Sequence, residues 1–280
     1  LHGITRNPWN PLRTTAGSSG GEAAALATGM SPIGLGNDLG GSLRNPANAC
    51  GIASIRPSAG RVPDACFVPR EDYLMAVQLM NVQGPMARRI DDVRLGLQVL
   101  MGAHPRDPWS FTAPLNGPAP NGPIRVAVVT APPGGTCDPT VSATVRRAAD
   151  ALANAGYEVV DACPPRYEEV AATWARLLMG DFASVLDQLM PLMGEGGKTF
   201  LATANAAVAP LTSTTDMSQL LALRHGLGRA WSQFMAEHPL VLTPTWTQIP
   251  FEQGFDAATA QGDAATVEMI RPVVAANLLG

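Results

Sequence analysis

The chain has 280 residues, of which 46% are hydrophobic and 15% are charged, so it can bury an extensive core. Its formal net charge of −4 lacks the basic excess of nucleic-acid-binding surfaces, so no nucleic-acid partner is expected. Neither a signal peptide nor an apolar run long enough to span a bilayer is predicted, and no membrane partner is expected either.

The first half of the chain is predicted to alternate short helices and strands. Residues 22–29 are strong helix formers that follow a Gly-Ser-Ser-Gly-Gly run and end at a glycine, which favours a short helix. Residues 32–36 and 52–55 are short apolar stretches that predict two buried strands. Residues 91–101 carry apolar side chains at helical spacing after an acidic start, which predicts another helix.

A strand–helix–strand pattern follows a loop that is rich in Pro, Asn and Gly. Residues 124–130 predict a fully buried strand, residues 139–155 a helix, and residues 157–162 a second strand. This β–α–β unit implies a parallel or mixed sheet that is covered by helices. Longer helices are predicted at about 167–193 and 217–237, and a last buried strand at 240–244.

The four cysteines are far apart and form no CxxC pair: Cys50, Cys66, Cys137 and Cys163. Their spacing predicts neither a metal site nor a disulfide framework, and the scattered histidines supply no pair of ligands. We therefore expect buried free thiols in a reducing compartment, which implies a cytoplasmic protein.

Two glycine- and serine-rich stretches have the composition that amide hydrolysis needs: TAGSSGGE at 15–22 and GNDLGGSLRNPA at 36–47. Two glycines before Ser42 allow a tight turn in which backbone N–H groups converge without obstruction from Cβ atoms. Free N–H groups at Leu39, Gly40, Gly41 and Ser42 would form a nest for a developing oxyanion. The first stretch adds a serine pair at the start of a helix, where negative charge is favoured.

Each stretch alone is a weak signal, because GSSGG is often only a flexible loop or a phosphate-binding turn. The chain has no GxSxG elbow, and no histidine lies near either serine in the sequence. An ordinary Ser-His-Asp triad is therefore not supported.

Together, the two stretches closely resemble the amidase signature family of serine hydrolases. The resemblance runs through GSSGGEAAALA, GLGNDLGGSLRNPA and CGIASIRPSAGRVP, then through QGPMARRIDD at 83–92 and LTPT at 242–245. It extends over essentially the whole chain. It implies an α/β fold with a mixed, twisted β-sheet core covered by helices on both faces. It also implies one domain over 1–280, with the signature core at 14–62 and a β–α–β and helical, substrate-side portion at 123–245.

The resemblance implies a Ser–Ser–Lys triad in which Ser42 is the nucleophile and Ser18, which follows a cis peptide bond, is the bridging serine. The third member is an unprotonated lysine, kept neutral by burial and nearby hydrogen bonds, that draws the proton of Ser42 through Ser18. In the family this lysine lies upstream of the serine pair, on a segment that this chain does not contain. Lys198 is far downstream, in what we interpret as a glycine-rich loop, and is not assigned the role. The family pattern also continues past residue 280, so we expect an internal fragment that is inactive alone.

Other roles follow from the same resemblance. The oxyanion-hole amides correspond to Leu39, Gly40, Gly41 and Ser42. We expect Asp38 and Arg44 to hold the turn by hydrogen bonds rather than to do chemistry. Ser19 is expected to support its loop, and a direct role for it is left open.

The substrate pocket is predicted to involve residues 64–81, residues 174–193 and Trp246. Four residues hint at an apolar or aryl acyl group, although they could equally fill the core: Phe67, Tyr73, Leu74 and Met75. Asn45 is uncharged, so that position offers no fixed cation to an acidic substrate.

We expect an amidase that acts on a small-molecule amide and needs no cofactor or metal, because serine and lysine supply both nucleophile and proton transfer. One alternative is the glutamine-hydrolysing subunit of a tRNA-dependent amidotransferase, whose pattern the sequence after Val62 does not resemble. Another is a non-catalytic relative that serves as a binding module. The sequence leaves open whether the protein is a homodimer.

Overall fold

The computed structural model describes residues 3–65, 73–118, 122–258 and 260–280. The strands in this part of the chain are β1 (Ile33–Asn37), β2 (Ala53–Ser54), β3 (Gln83–Ala87), β4 (Arg125–Val128), β5 (Glu158–Asp161) and β6 (Leu240–Leu242). The helices are α1 (Gly20–Ala27), α2 (Arg44–Cys50), α3 (Met75–Met80), α4 (Ile90–Leu100), α5 (Pro139–Asn154), α6 (Tyr167–Phe182), α7 (Leu186–Leu189), α8 (Glu195–Ala206), α9 (Thr214–Glu237), α10 (Phe255–Ala258), α11 (Ala260–Met269) and α12 (Arg271–Leu279). Short 3-10 turns at Ala183–Val185 and Met190–Leu192 flank α7.

The first sheet holds the signature stretches and is antiparallel, with the strand order β1-β3-β2. Ala87 of β3 lies opposite Ile33 on one side and Ala53 on the other. Helices α1 and α2 contribute to a buried cluster that consists of Ala23, Leu26, Leu43, Ala47, Cys50 and Met86. This packing fixes the two helices against each other, and the two serine stretches lie at their N-terminal ends.

The second sheet is parallel, with the order β5-β4-β6, and confirms the predicted β–α–β unit and last strand. Helix α5 begins where predicted because Asp138 accepts the N–H of Thr140 at 2.6 Å and Pro139 occupies the first turn. Its buried face, Val145 and Ala149, packs on the β4 strand. The predicted α/β class is confirmed, although the described residues form one antiparallel and one parallel sheet rather than a single mixed sheet.

The largest buried cluster lies among helices α6, α9, α11 and α12. Its fully buried members include Leu177 of α6, Leu227 of α9 and Leu278 of α12. Leu39, from the turn after β1, packs against this cluster. The helical layer therefore contacts the signature turn directly.

The helical stretch predicted at about 167–193 is confirmed as α6, α7 and the two 3-10 turns beside α7, which continue to Leu192. Two predictions, one about the surroundings of Lys198 and one about the burial of the thiols, were wrong. Lys198 lies in α8 rather than in a loop, with its ammonium 2.6 Å from Glu195. The glycines before it cost the helix about 1 kcal/mol each, but buried Leu201 and Ala204 on the same helix offset this.

The cysteines are free but not uniformly buried. Cys50 is buried, Cys137 half-buried and Cys163 exposed, while Cys66 lies outside the described residues. Burial raises the pKa of Cys50 to about 11, so this thiol is chemically inert at neutral pH.

Neither a metal centre nor a membrane helix is found in the described part of the chain. No group of three or more His, Cys, Asp or Glu side chains there could hold a metal ion. None of the helices described combines the length and apolarity that crossing a membrane requires.

Candidate active site

The turn that carries Ser42 joins β1 to α2. The chain leaves β1 through Asp38, whose N–H donates to the carbonyl of Val82 at 2.8 Å. Gly41 has a φ of +96°, in the left-handed region, and a Cβ there would lie 2.4 Å from Oδ1 of Asn45. A Cβ at Gly40 would lie 2.6 Å from the ring of Trp174. Both glycines are therefore required by the shape of the turn.

Asp38 holds this turn from inside. Its side chain is fully buried, and Oδ1 accepts the N–H of Gly41 at 2.7 Å while Oδ2 accepts that of Leu43 at 3.3 Å. Arg44 adds a two-point ion pair, with Nε 2.9 Å from Oδ2 and Nη2 2.8 Å from Oδ1. Burial alone would raise the pKa of Asp38, but the hydrogen bonds and charge of Arg44, with hydrogen bonds from Asn277 and Gly41, outweigh it and hold this pKa below its ordinary value.

The three peptide groups between Leu39 and Ser42 are oriented by partners for their carbonyls. Leu39 O accepts the indole N–H of Trp174 at 3.1 Å. Gly40 O accepts Nδ2 of Asn45 at 3.2 Å, and Gly41 O accepts the backbone N–H of Asn45 at 2.6 Å. Because the N–H and C=O of a trans peptide point in opposite directions, each bound carbonyl also fixes the direction of the next N–H.

The expectation of four free amides is wrong for Gly41, whose N–H donates to Asp38. Among the described residues, the N–H groups of Leu39, Gly40 and Ser42 have no acceptor. The N–H of Gly41 therefore helps to fix the shape of the turn, while the other three N–H groups stay open. Such donors are what a developing oxyanion requires.

The second serine stretch lies against the first. The N–H of Ser19 donates to the carbonyl of Ser42 at 3.3 Å, and the peptide bond between Gly17 and Ser18 is cis. Ser18 is exposed and Ser42 half-buried. Ser19 also packs on β1, since a Cβ at Gly36 would lie 2.6 Å from its hydroxyl oxygen. The two serines that the sequence singles out are thus on adjoining segments.

Asn7, which the sequence analysis missed, anchors the serine-bearing loop. Its buried Nδ2 donates to the carbonyl of Thr14 at 2.9 Å and to that of Ala49 at 2.8 Å. The first contact is with the loop before Ser18, and the second is with α2. A polar residue in an otherwise irregular segment carries no periodic signal, so these contacts could not be inferred from its position.

Asn277 was also missed, and it connects α12 with the turn. Its Nδ2 lies 2.9 Å from the backbone carbonyl of Asp38 and 2.8 Å from its Oδ1, and its Oδ1 accepts Nη2 of Arg44 at 2.7 Å. Arg44 also donates to the carbonyl of Val273 at 2.7 Å. The one hint in the sequence is a single asparagine in the apolar run VVAANLL.

In the described part of the chain, the charged side chains that are hydrogen-bonded to the turn have ion-pair partners of their own. Asp38 and Arg44 pair with each other. Lys198 pairs with Glu195 within α8, and among the described contacts it makes none with the turn.

The predicted substrate-side residues have different surroundings. Trp246 is 3% exposed and stacks on Phe251, with the ring centroids 5.5 Å apart, so it fills the core. Tyr73 donates to Oδ1 of Asp64 at 3.3 Å. Phe67 lies outside the described residues. Asn45 is buried beneath the turn, and its Oδ1 has no hydrogen-bond partner among the described residues.

A cavity of about 420 Å³ adjoins the turn through Trp174. Its walls include the apolar side chains of Ala171, Ala175, Val267 and Val274, with Glu168 and Glu268 among the polar residues. It is large enough for a small aryl group, since ligand pockets begin at about 300 Å³.

The mixed α/β architecture is shared with amide-hydrolysing enzymes of known structure. The structure of 6-aminohexanoate cyclic dimer hydrolase complexed with substrate matches with a TM-score of 0.80 and 25% identity, over 99% of this chain and 62% of that one. All of residues 1–280 match the family described as Amidase. The chain therefore belongs to the amidase signature family.

Two relatives illustrate the range of activities in the family. Indoleacetamide hydrolase of Bradyrhizobium japonicum is 41% identical over 248 residues, which cover 88% of this chain and 53% of that protein. A glutamyl-tRNA(Gln) amidotransferase subunit of Synechococcus sp. (strain RCC307) is 37% identical over 179 residues, or 61% and 35% of the two chains. The chain spans about half the length of the indoleacetamide hydrolases that it matches.

Proposed function

We propose that this chain carries the nucleophile of an amidase that hydrolyses a carboxamide to a carboxylate and ammonia or an amine. The observation that carries the proposal is the open N–H pair of Gly40 and Ser42. The peptide group of each donor is held through its own carbonyl, that of Leu39 by the indole of Trp174 and that of Gly41 by the backbone N–H of Asn45. Donors fixed in advance need no reorganisation when negative charge develops on the substrate oxygen.

Catalysis begins when the Ser42 oxygen attacks the amide carbon. The hydroxyl proton passes to Ser18, and the proton of Ser18 passes to an unprotonated lysine, as the family pattern implies. The N–H groups of Leu39, Gly40 and Ser42 stabilise the tetrahedral oxyanion. Collapse breaks the C–N bond as the proton returns through Ser18 to the leaving nitrogen. A water molecule then releases the acyl group from Ser42 as a carboxylic acid.

The substrate we infer is a small amide with an apolar, aromatic acyl group, such as indoleacetamide. The 41% identity to a protein named for that substrate supports this class, as does the aryl-sized cavity beside Trp174. Glutamine hydrolysis in an amidotransferase is the second candidate. It ranks behind because that relative matches less of the chain, at lower identity.

The test is active-site labelling of the protein made from the complete reading frame that encodes this chain. A fluorophosphonate probe should label Ser42, labelling should vanish in Ser42→Ala, and it should fall sharply in Ser18→Ala. Ser218→Ala, at an exposed serine on α9, is the matched control and should label normally. Labelling that persists in Ser42→Ala would contradict the assignment of Ser42 as nucleophile. A folded protein with no labelling would favour the binding-module alternative.

Substrate class is then read from hydrolysis of a panel that contains indoleacetamide, aliphatic amides and glutamine. Ammonia release should be fastest with the aryl amide. A preference for glutamine would overturn the inferred substrate class in favour of the amidotransferase candidate.

A further inference from the structure

Asn277 is a buried amide in an apolar helix. Its side chain is fully buried on α12, whose other buried residues include Val273, Val274 and Leu278. A buried amide without partners costs free energy, so its position depends on the hydrogen bonds that it makes. It donates to both the carbonyl and Oδ1 of Asp38, makes a longer contact of 3.4 Å with the carbonyl of Met80, and accepts from Arg44.

These bonds act on the carboxylate that shapes the nucleophile turn. Oδ1 of Asp38 receives three donors: the N–H of Gly41, Nη2 of Arg44 and Nδ2 of Asn277. If the carboxylate rotated, Oδ1 would leave the N–H of Gly41, and the peptide group between Gly40 and Gly41 would keep only the longer bond from Asn45 to the carbonyl of Gly40. The open N–H groups of Gly40 and Ser42 lie on the two adjoining peptide groups, so a shift of the peptide group between them would change their direction as well.

We propose that Asn277 is a positioning residue for catalysis, which holds Asp38 in the one orientation that keeps the oxyanion donors aimed at the substrate. The inference rests on the proposed function of Ser42. It assigns α12, which lies more than 200 residues from the turn in sequence, a role in the rate of acylation rather than only in packing.

The amide is the required group because it is donor and acceptor at once. Nδ2 faces the acceptor oxygens of Asp38, and Oδ1 faces the donor Nη2 of Arg44. A carboxylate of the same shape would satisfy Arg44 but would place an acceptor against Asp38. Asn277→Asp therefore keeps the volume and removes the donor, whereas Asn277→Ala removes both.

The test compares Asn277→Ala, Asn277→Asp and Leu278→Ala in the protein made from the complete reading frame. Rates are normalised to the folded sites counted by probe titration. Both Asn277 variants should lose about 10-fold to 100-fold in kcat with KM changed little, because displaced donors weaken transition-state stabilisation. Leu278→Ala, at the adjacent fully buried residue, should lower Tm without lowering kcat per site.

A double-mutant cycle separates positioning from packing. If Asn277 acts through Asp38, then Asn277→Ala should add little to the kcat loss of Asp38→Asn, so the two effects are not additive. Unchanged kcat per site in Asn277→Ala, or additive losses in the cycle, would overturn the inference. Failure of the proposed function has a different signature, since labelling would then persist in Ser42→Ala.

Discussion

Arg44 forms a two-point ion pair with Asp38, the residue six positions before it, and the pair encloses the backbone turn that carries Ser42. The remaining donors of Arg44 bond to Val273 and Asn277 of α12. One guanidinium therefore connects the turn, its buried carboxylate and a helix from the far end of the chain. The turn gains its shape from this pair as much as from its glycines.

Arg44→Lys should cost stability and activity although it preserves the charge. A lysine ammonium cannot reproduce the planar fork that meets both oxygens of Asp38 and still reaches α12. We expect a loss of about 2–3 kcal/mol in the free energy of unfolding, measured by urea denaturation, and a lower labelling rate at Ser42. Arg125→Lys is the control, because its pair with Glu158 is exposed and should contribute less than about 1 kcal/mol. Equal losses in the two variants would contradict the buried-pair argument.

Asp38 should make stability depend on pH in the acid range. Its pKa is held below the ordinary value, so the unfolded chain binds the proton more readily than the folded protein. The stability it contributes is fully present above about pH 5 and is lost as pH falls through the ordinary carboxyl pKa toward the lower folded value.

The measurement is urea unfolding of the wild type and Asp38→Asn at several pH values. The variant should be less stable by about 3–5 kcal/mol at pH 7, because it leaves Arg44 partly buried without its counter-charge, and the gap should narrow below pH 5. Asp161→Asn removes a mostly exposed partner of Arg146 and should change stability by less than about 1 kcal/mol. If the difference in unfolding free energy between the wild type and Asp38→Asn grew as the pH fell, it would contradict the direction of the pKa shift of Asp38.

Gly41→Ala should disrupt the turn. The residue has a φ of +96°, and the added Cβ would lie 2.4 Å from the side chain of Asn45, which itself holds the carbonyl of Gly40. We expect a loss of about 1–3 kcal/mol in stability and a Ser42 labelling rate reduced by at least about 10-fold.

Gly226→Ala is the matched control for that substitution. Gly226 lies inside α9, and a Cβ there would meet nothing within 4 Å. Because alanine is the better helix former, this variant should be more stable by about 0.5–1 kcal/mol and label normally. A Gly41→Ala enzyme with wild-type labelling would show that the left-handed turn is not required.

Trp174→Phe should slow the reaction by releasing the carbonyl of Leu39. The indole N–H donates to that carbonyl at 3.1 Å, and phenylalanine has no such donor. We expect a lower kcat and a stability loss of about 1–2 kcal/mol. Trp231→Phe is the control, since its indole N–H donates to the carbonyl of Pro165 at 2.9 Å, away from the turn. Trp174→Phe and Trp231→Phe should lose similar stability, but only Trp174→Phe should lower kcat. Equal kcat values in the two variants would show that Trp174 does not orient the N–H donors.

The sequence predicted the parts of this protein that depend on neighbouring residues. The Gly-Gly-Ser turn, the helix after the serine pair and the β–α–β unit all follow from short-range preferences, and the structure has each close to its predicted bounds. The pairing of the two serine stretches followed from resemblance, and the bond between Ser19 and Ser42 brings them together. Helix α12 was not predicted, because its buried residues lie on nearly all of its faces and give no clear helical period.

The tertiary structure alone decided how the turn is held. Asn7, Trp174 and Asn277 reach the serine-bearing segments from other parts of the chain, and no local pattern marks any of them as a partner. It also decided that Gly41 gives its N–H to Asp38 while the amides beside it stay open. The physical reason is that a buried donor must find an acceptor wherever folding places one, and that placement is set by how the helices pack rather than by adjacency in sequence.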